Sequence, residues 1–68
     1  MIDISSFTGA EYEYIRYHAN FTDREMRLYE LRNKQYTYEE CAELMNMSVA
    51  TVKRTMQKIN SKIARMTH

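Results

Sequence analysis

The chain has no proline and no tryptophan, and only one glycine and one cysteine among its 68 residues. Without proline and nearly without glycine, it lacks the residues that punctuate strand-rich and loop-rich folds, so long stretches are free to be helical. One cysteine, Cys41, rules out an internal disulfide and suits a reducing compartment. No apolar run approaches the roughly 18 residues of a membrane span, and the first residues lack the charge pattern of a secretory leader. A cytoplasmic chain with no membrane association is therefore expected. No glycine-rich loop exists to cradle a phosphate, and His18 and His68 have no acid, Cys or His at the spacing of a metal set. Cys41 falls on an inward helix face, and Glu39, Glu40 and Glu43 make a charged outer face rather than a paired-acid site. The expectation is no enzyme, no cofactor, no metal and no small-molecule ligand.

The most informative absence is local. Residues 48–68 hold Lys53, Arg54, Lys58, Lys62 and Arg65 and no acid, a net of +5. Residues 1–47 hold nine acids against five bases, a net of −4. The overall charge of +1 thus conceals a polar separation of charge. Within the same segment Val52, Met56, Ile59, Ile63 and Met66 recur at steps of four, three, four and three, which is one apolar stripe down a single helix. At about 100° per residue, Ala50, Arg54, Gln57 and Ser61 lie opposite that stripe, with Lys53 and Lys58 at its edges. Such a face suits a polyanion, and nucleic acid is the commonest polyanion. The alternative is a solvated terminal helix whose lysines complement its own dipole.

With 44% hydrophobic and 28% charged residues, the composition is that of one small globular domain near the lower limit for a self-sufficient core. Residues 1–7 show no periodicity and read as a tail, from which Ile2, Ile4 or Phe7 can rest on the body. The remainder, 8–68, reads as a single domain. Thr8-Gly-Ala-Glu11, Thr22-Asp-Arg-Glu25 and Thr37-Tyr-Glu-Glu40 each spell a capping box, in which Thr accepts from an orphan amide and Glu reaches back. Ser48 caps a fourth helix without the returning Glu. Apolar pairs flank each cap, Phe7 with Tyr12, Phe21 with Met26, Tyr36 with Cys41, and Met47 with Val52. These are hydrophobic staples in register with the caps. The fold expected is all-α, with helices near 9–19, 23–33, 38–45 and 49–66.

The first helix offers Tyr12, Ile15 and Ala19 as a face to lean on the last helix. The second offers Met26, Tyr29 and Asn33, widened by Leu28 and Leu31. The third offers Tyr38, Cys41, Ala42 and Met45, while Leu44 falls off that set as a rim residue or part of a contact surface. Only Asn46 and Met47 separate helices three and four. Asn tolerates the left-handed conformation that ends a helix, so residues 37–59 read as a helix-turn-helix whose second helix is the basic one.

Phe21-Thr-Asp-Arg-Glu25, Leu28 and Leu31, Thr37-Tyr-Glu-Glu-Cys-Ala42, Asn46-Met-Ser48 and Thr51-Val-Lys53 resemble the DNA-binding domain of LuxR-type response regulators and the similar region 4 of sigma-70 factors. Phe21, Cys41, Met45 and Met47 depart from the family's usual Leu, Ile, Leu and Ile, and Asn46 from its Gly. The extra helix before the motif, and the absence of a further one after it, look more like sigma region 4 or a small stand-alone regulator of bacterial or phage origin. The resemblance implies a cytoplasmic, nucleoid-associated transcription regulator that binds double-stranded DNA.

The helix from Ser48 to Met66 is then expected to enter the major groove. Arg54 and Gln57 would make bidentate base contacts, and Ala50 and the Thr51 methyl would touch a thymine methyl. Lys53, Lys58, Ser48, Lys34, Thr37 and Tyr38 are the expected phosphate contacts. Ile59, Ile63 and Met66 have the spacing of a homodimer seam, or pack within the monomer against the first helix. The other functional reading is a protein-interaction module of the transcription machinery that binds RNA polymerase or another regulator.

Overall fold

The computed structural model describes residues 2–66, so Met1, Thr67 and the unmatched His68 lie outside the described residues. Four α-helices follow one short 3-10 helix, Ile4–Ser6: α1 Gly9–His18, α2 Asp23–Asn33, α3 Tyr38–Leu44 and α4 Val49–Met66. The protein is all-helical, and α3 and α4 form its helix-turn-helix. Each boundary falls within one residue of the expected one, because each is set by local chemistry. In all three capping boxes both bonds are made: Thr8 with Glu11, Thr22 with Glu25, and Thr37 with Glu40. The Ser48 hydroxyl accepts from the Thr51 amide at 3.2 Å and opens α4.

The turns differ in how they stop a helix. Asn46 takes φ 55°, and the amides of Asn46 and Met47 return to the carbonyls of Glu43 and Ala42 at 3.3 and 2.9 Å. That pattern satisfies two orphan carbonyls and turns the chain within the four residues 45–48. Gln35, at φ 72°, ends α2 in the same way, its amide and that of Tyr36 bonding to Arg32 and Leu31. Asn20, at φ 58°, turns the chain between α1 and α2.

The core joins Ile15 and Ala19 of α1, Leu28 and Tyr29 of α2, Cys41 and Ala42 of α3, and Val52, Met56, Ile59 and Ile63 of α4. Helix α2 is the hub and packs against every other element. Two expectations change here. Helix α1 lies chiefly along α2 rather than on the stripe of α4. Tyr12 stacks on Tyr29 at 4.9 Å, the Tyr29 hydroxyl donates to the Tyr12 carbonyl at 2.9 Å, and Arg16 pairs with Glu30 at 3.5 Å. It meets α4 at the last turn, where Met66 lines a shallow groove with Ala10, Tyr14 and Ile15. Second, the N-terminal segment is not a loose tail. Ile4 is 3% exposed, and its carbonyl accepts from Asn33 Nδ2 at 3.1 Å. Of the three apolar residues able to rest on the body, Ile4 is fully buried, and Ile2 and Phe7 pack partly buried against the core.

An ion pair between a buried carboxylate and a half-buried lysine crosses the fold. Glu25 completes the capping box of α2 and also accepts from Lys62 Nζ on α4, while Lys62 donates to the Asn20 carbonyl at 3.1 Å. Burial alone would push the Glu25 carboxyl up. The bonds from Lys62 and the Thr22 amide outweigh it and hold the group below the usual carboxylate range. The native state therefore favours the ionised form, and the resulting stability is present above the unfolded pKa and lost as pH falls through the folded one.

Two measurements check this packing. Glu25→Gln, which keeps a capping amide but not the charge, should cost about 2 kcal/mol at neutral pH by denaturant melts. The gap to wild type should close as pH falls below about 4; a gap that widens on acidification would contradict the sign. Ile4→Ala should cost about 2–5 kcal/mol, as expected for a core aliphatic, whereas a loose tail would leave stability unchanged.

Candidate nucleic-acid interface

Helix α4 is about 27 Å long for its 18 residues, and its two faces differ completely. Val52, Thr55, Met56, Ile59 and Ile63 are buried. Ala50, Lys53, Arg54, Gln57, Lys58, Ser61 and Arg65 are exposed. Burial of the stripe fixes the rotation of the helix about its axis, so the outward face is set by the core rather than by surface contacts. Lys62 is the exception among the five basic residues, since it is turned onto Glu25 and Asn20. The exposed positive charge is that of Lys53, Arg54, Lys58 and Arg65, with no acid on the helix.

At the N-terminal end of α4 the polar groups are linked. Arg54 Nη2 donates to Thr51 Oγ1 at 3.3 Å, and Thr51 Oγ1 lies 2.9 Å from Ser48 Oγ. The buried Thr55 hydroxyl donates to the Thr51 carbonyl at 2.8 Å. Ala50 and Gln57 flank this chain in the open.

The other expected site residues are placed unevenly. Lys34 is exposed at the end of α2. The amide and hydroxyl of Thr37 are both engaged with Glu40, at 2.8 and 3.1 Å. Tyr38 is half-buried, with the Arg32 guanidinium 4.5 Å above its ring. Glu39 and Glu40 add negative charge at that end of α3, so it is poorly disposed toward phosphate. Ile59 and Ile63 are 0% and 2% exposed. They are buried within the monomer and offer no seam to a second copy, so of the two alternatives the structure has packing within the monomer. Met66 is half-buried against the core. Leu44 is 49% exposed, where a shallow groove is lined by Tyr36, Glu40 and Glu43. Cys41 is fully buried, and burial pushes its thiol above the ordinary range, opposite to what a nucleophile needs.

The family model described as sigma-70, region 4, matches residues 14–63, well over half of the chain, including α3 and all but the last three residues of α4. The chain belongs to the sigma-70 region 4 family. That family is a regulatory helix-turn-helix domain and not a catalytic one. The likeness to LuxR-type domains rests on the shared motif alone. Comparison with curated proteins and with solved structures gave no match. Among the described residues of this sigma region 4 domain, no helix is long and apolar enough to cross a membrane.

The Glu25–Lys62 ion pair and the Thr51–Arg54 bond are not announced by the sequence. Lys62 looked like one more cation on a basic helix, and its partner lies 37 residues away. The division between core and rim is open to a direct check. Ile59→Ala should lower stability by about 2–5 kcal/mol without altering mass in solution. Leu44→Ser should change stability by less than about 0.5 kcal/mol. A shift of a dimer to monomer in Ile59→Ala would contradict the burial.

Proposed function

We propose that this sigma region 4 domain is a sequence-specific regulator of transcription that inserts the N-terminal half of α4 into the major groove of double-stranded DNA. The observation that carries the reading is the acid-free outward face of α4, held in one rotation by a fully buried opposite face. A groove about 12 Å wide admits only part of a helix of this length, so Ser48 to Lys58 is the reading segment. Arg54 and Gln57 are the base readers, suited to guanine and adenine, and Ala50 faces a thymine methyl. Lys53 and Lys58 flank them toward the phosphates, with Lys34 and the Ser48 hydroxyl beyond. Thr37 and Tyr38 take a smaller part than the sequence implied, since both are already partnered. A chain held on chromosomal DNA in this way works at the nucleoid.

One observation favours a second reading. Sigma-70 region 4 domains bind RNA polymerase as well as DNA, and exposed Leu44 beside Glu40 and Glu43 is a surface suited to protein rather than phosphate. The two readings use different faces and separate by mutation.

Fluorescence anisotropy with a labelled random duplex distinguishes them. If three phosphate contacts are made, affinity should fall about 40-fold between 50 and 200 mM salt. Arg54→Glu/Lys58→Glu should abolish binding while the fold, read by circular dichroism, is unchanged. Absence of binding at low salt would overturn the reading, and retention of polymerase binding by the same double variant would favour the Leu44 face.

A further inference from the structure

Thr51 was expected to meet a base through its methyl group. The structure gives its hydroxyl another occupation. Arginine can only donate, so Thr51 Oγ1 accepts from Arg54 Nη2 at 3.3 Å. Ser48 Oγ accepts from the Thr51 amide at 3.2 Å and lies 2.9 Å from Thr51 Oγ1. The three groups form one continuous chain when the Thr51 proton points to Ser48, which leaves the Ser48 proton free to donate outward. The backbone beneath is pinned as well, because buried Thr55 bonds the Thr51 carbonyl at 2.8 Å and the Ser48 carbonyl accepts from Val52 at 3.0 Å.

We infer that Thr51 is a positioning residue, whose hydroxyl braces the Arg54 guanidinium along the outward face of α4 and so governs the discrimination that Arg54 exerts on DNA. This rests on the groove reading proposed above. The physical ground is preorganisation. An arginine side chain has considerable rotamer freedom to lose on binding, and a guanidinium held in its fork geometry loses less per bond formed. Thr51 is half-buried in the first turn of α4, where a side chain of the same shape is accommodated. The helix cap does not depend on the Thr51 hydroxyl, because the Ser48 hydroxyl oxygen accepts from the backbone amide of Thr51, which a valine or serine there also supplies. The brace is thus removable without removing the helix.

The test compares Thr51→Val, which keeps the shape and removes the hydroxyl, with Thr51→Ser, which keeps the hydroxyl and removes the methyl. In the free protein, ¹⁵N relaxation of the Arg54 side chain should show lower order in Thr51→Val than in wild type, and wild-type order in Thr51→Ser. Unchanged order in Thr51→Val would overturn the brace itself, whatever the chain binds. On DNA, the probes are duplexes recovered by selection from a random library, with the unselected pool as reference. Thr51→Val should reduce preference for the selected duplexes about three- to tenfold, the value of one net hydrogen bond. Binding to the unselected pool and the salt slope should not move. Thr51→Ser should restore the preference, and Thr51→Val should add nothing in an Arg54→Ala background. Loss by Thr51→Val of the same factor on both probes would make Thr51 merely structural and overturn the proposal. Full preference in Arg54→Ala would instead refute Arg54 as a reader, a failure of the groove reading distinct from failure of the brace.

Discussion

What the surface of α4 presents depends on how that helix is held, and the contact that holds it most specifically is the one between Glu25 and Lys62. A single carboxylate closes the capping box of α2 and receives the ammonium of α4, while the same ammonium grips the Asn20 carbonyl in the turn between α1 and α2. Three elements therefore converge on two side chains. The pair is largely withdrawn from water, where an unpaired charge is costly. The apolar stripe alone would tolerate small rotations and slides of α4. A partly buried charge pair with directional bonds tolerates them far less.

Fixing α4 from the inside explains how so small a domain keeps the outward face of that helix in one orientation. The stripe, from Val52 to Ile63, and the Glu25–Lys62 pair use the inner face and one edge of the helix, leaving Ala50, Arg54 and Gln57 clear of the core. The α3–α4 turn does the rest. Asn46 in the left-handed region and two returning amides turn the chain within the four residues 45–48, so α3 sits against α4 across a short connection. The soft residues of the core, Met56 and Cys41 among them, pack without adding polar demands. Helix α4 itself carries no acid, and the carboxylate bonded to it, Glu25, is engaged by Lys62, so Lys53, Arg54, Lys58 and Arg65 keep their charge toward solvent.

Much of this was legible in the sequence because it is local. A capping box occupies four consecutive residues, and an apolar stripe repeats within two turns, so helix ends and the outward face of α4 followed from spacing alone. Asn46 announced its turn, whereas Gln35 did not, since glutamine is not a residue that favours positive φ. What escaped was non-local or ambiguous. Ile4 is one of three apolar candidates to rest on the body, with no repeat to single it out as the core residue; Glu25 is already explained by its box, and Lys62 is indistinguishable from its neighbours. The same ambiguity made Ile59 and Ile63 fit both a seam and a core, since heptad and core spacing coincide over two turns.

The central claim is that the face presented by α4 meets DNA. The most direct measurement is a titration of the ¹⁵N-labelled chain with a selected duplex, followed by amide chemical shifts. The expected shifts concentrate from Ser48 to Lys58 and at Lys34, while Leu44 and the α1 tyrosines stay still. Shifts centred on Leu44, Glu40 and Glu43, with α4 unmoved, would contradict it.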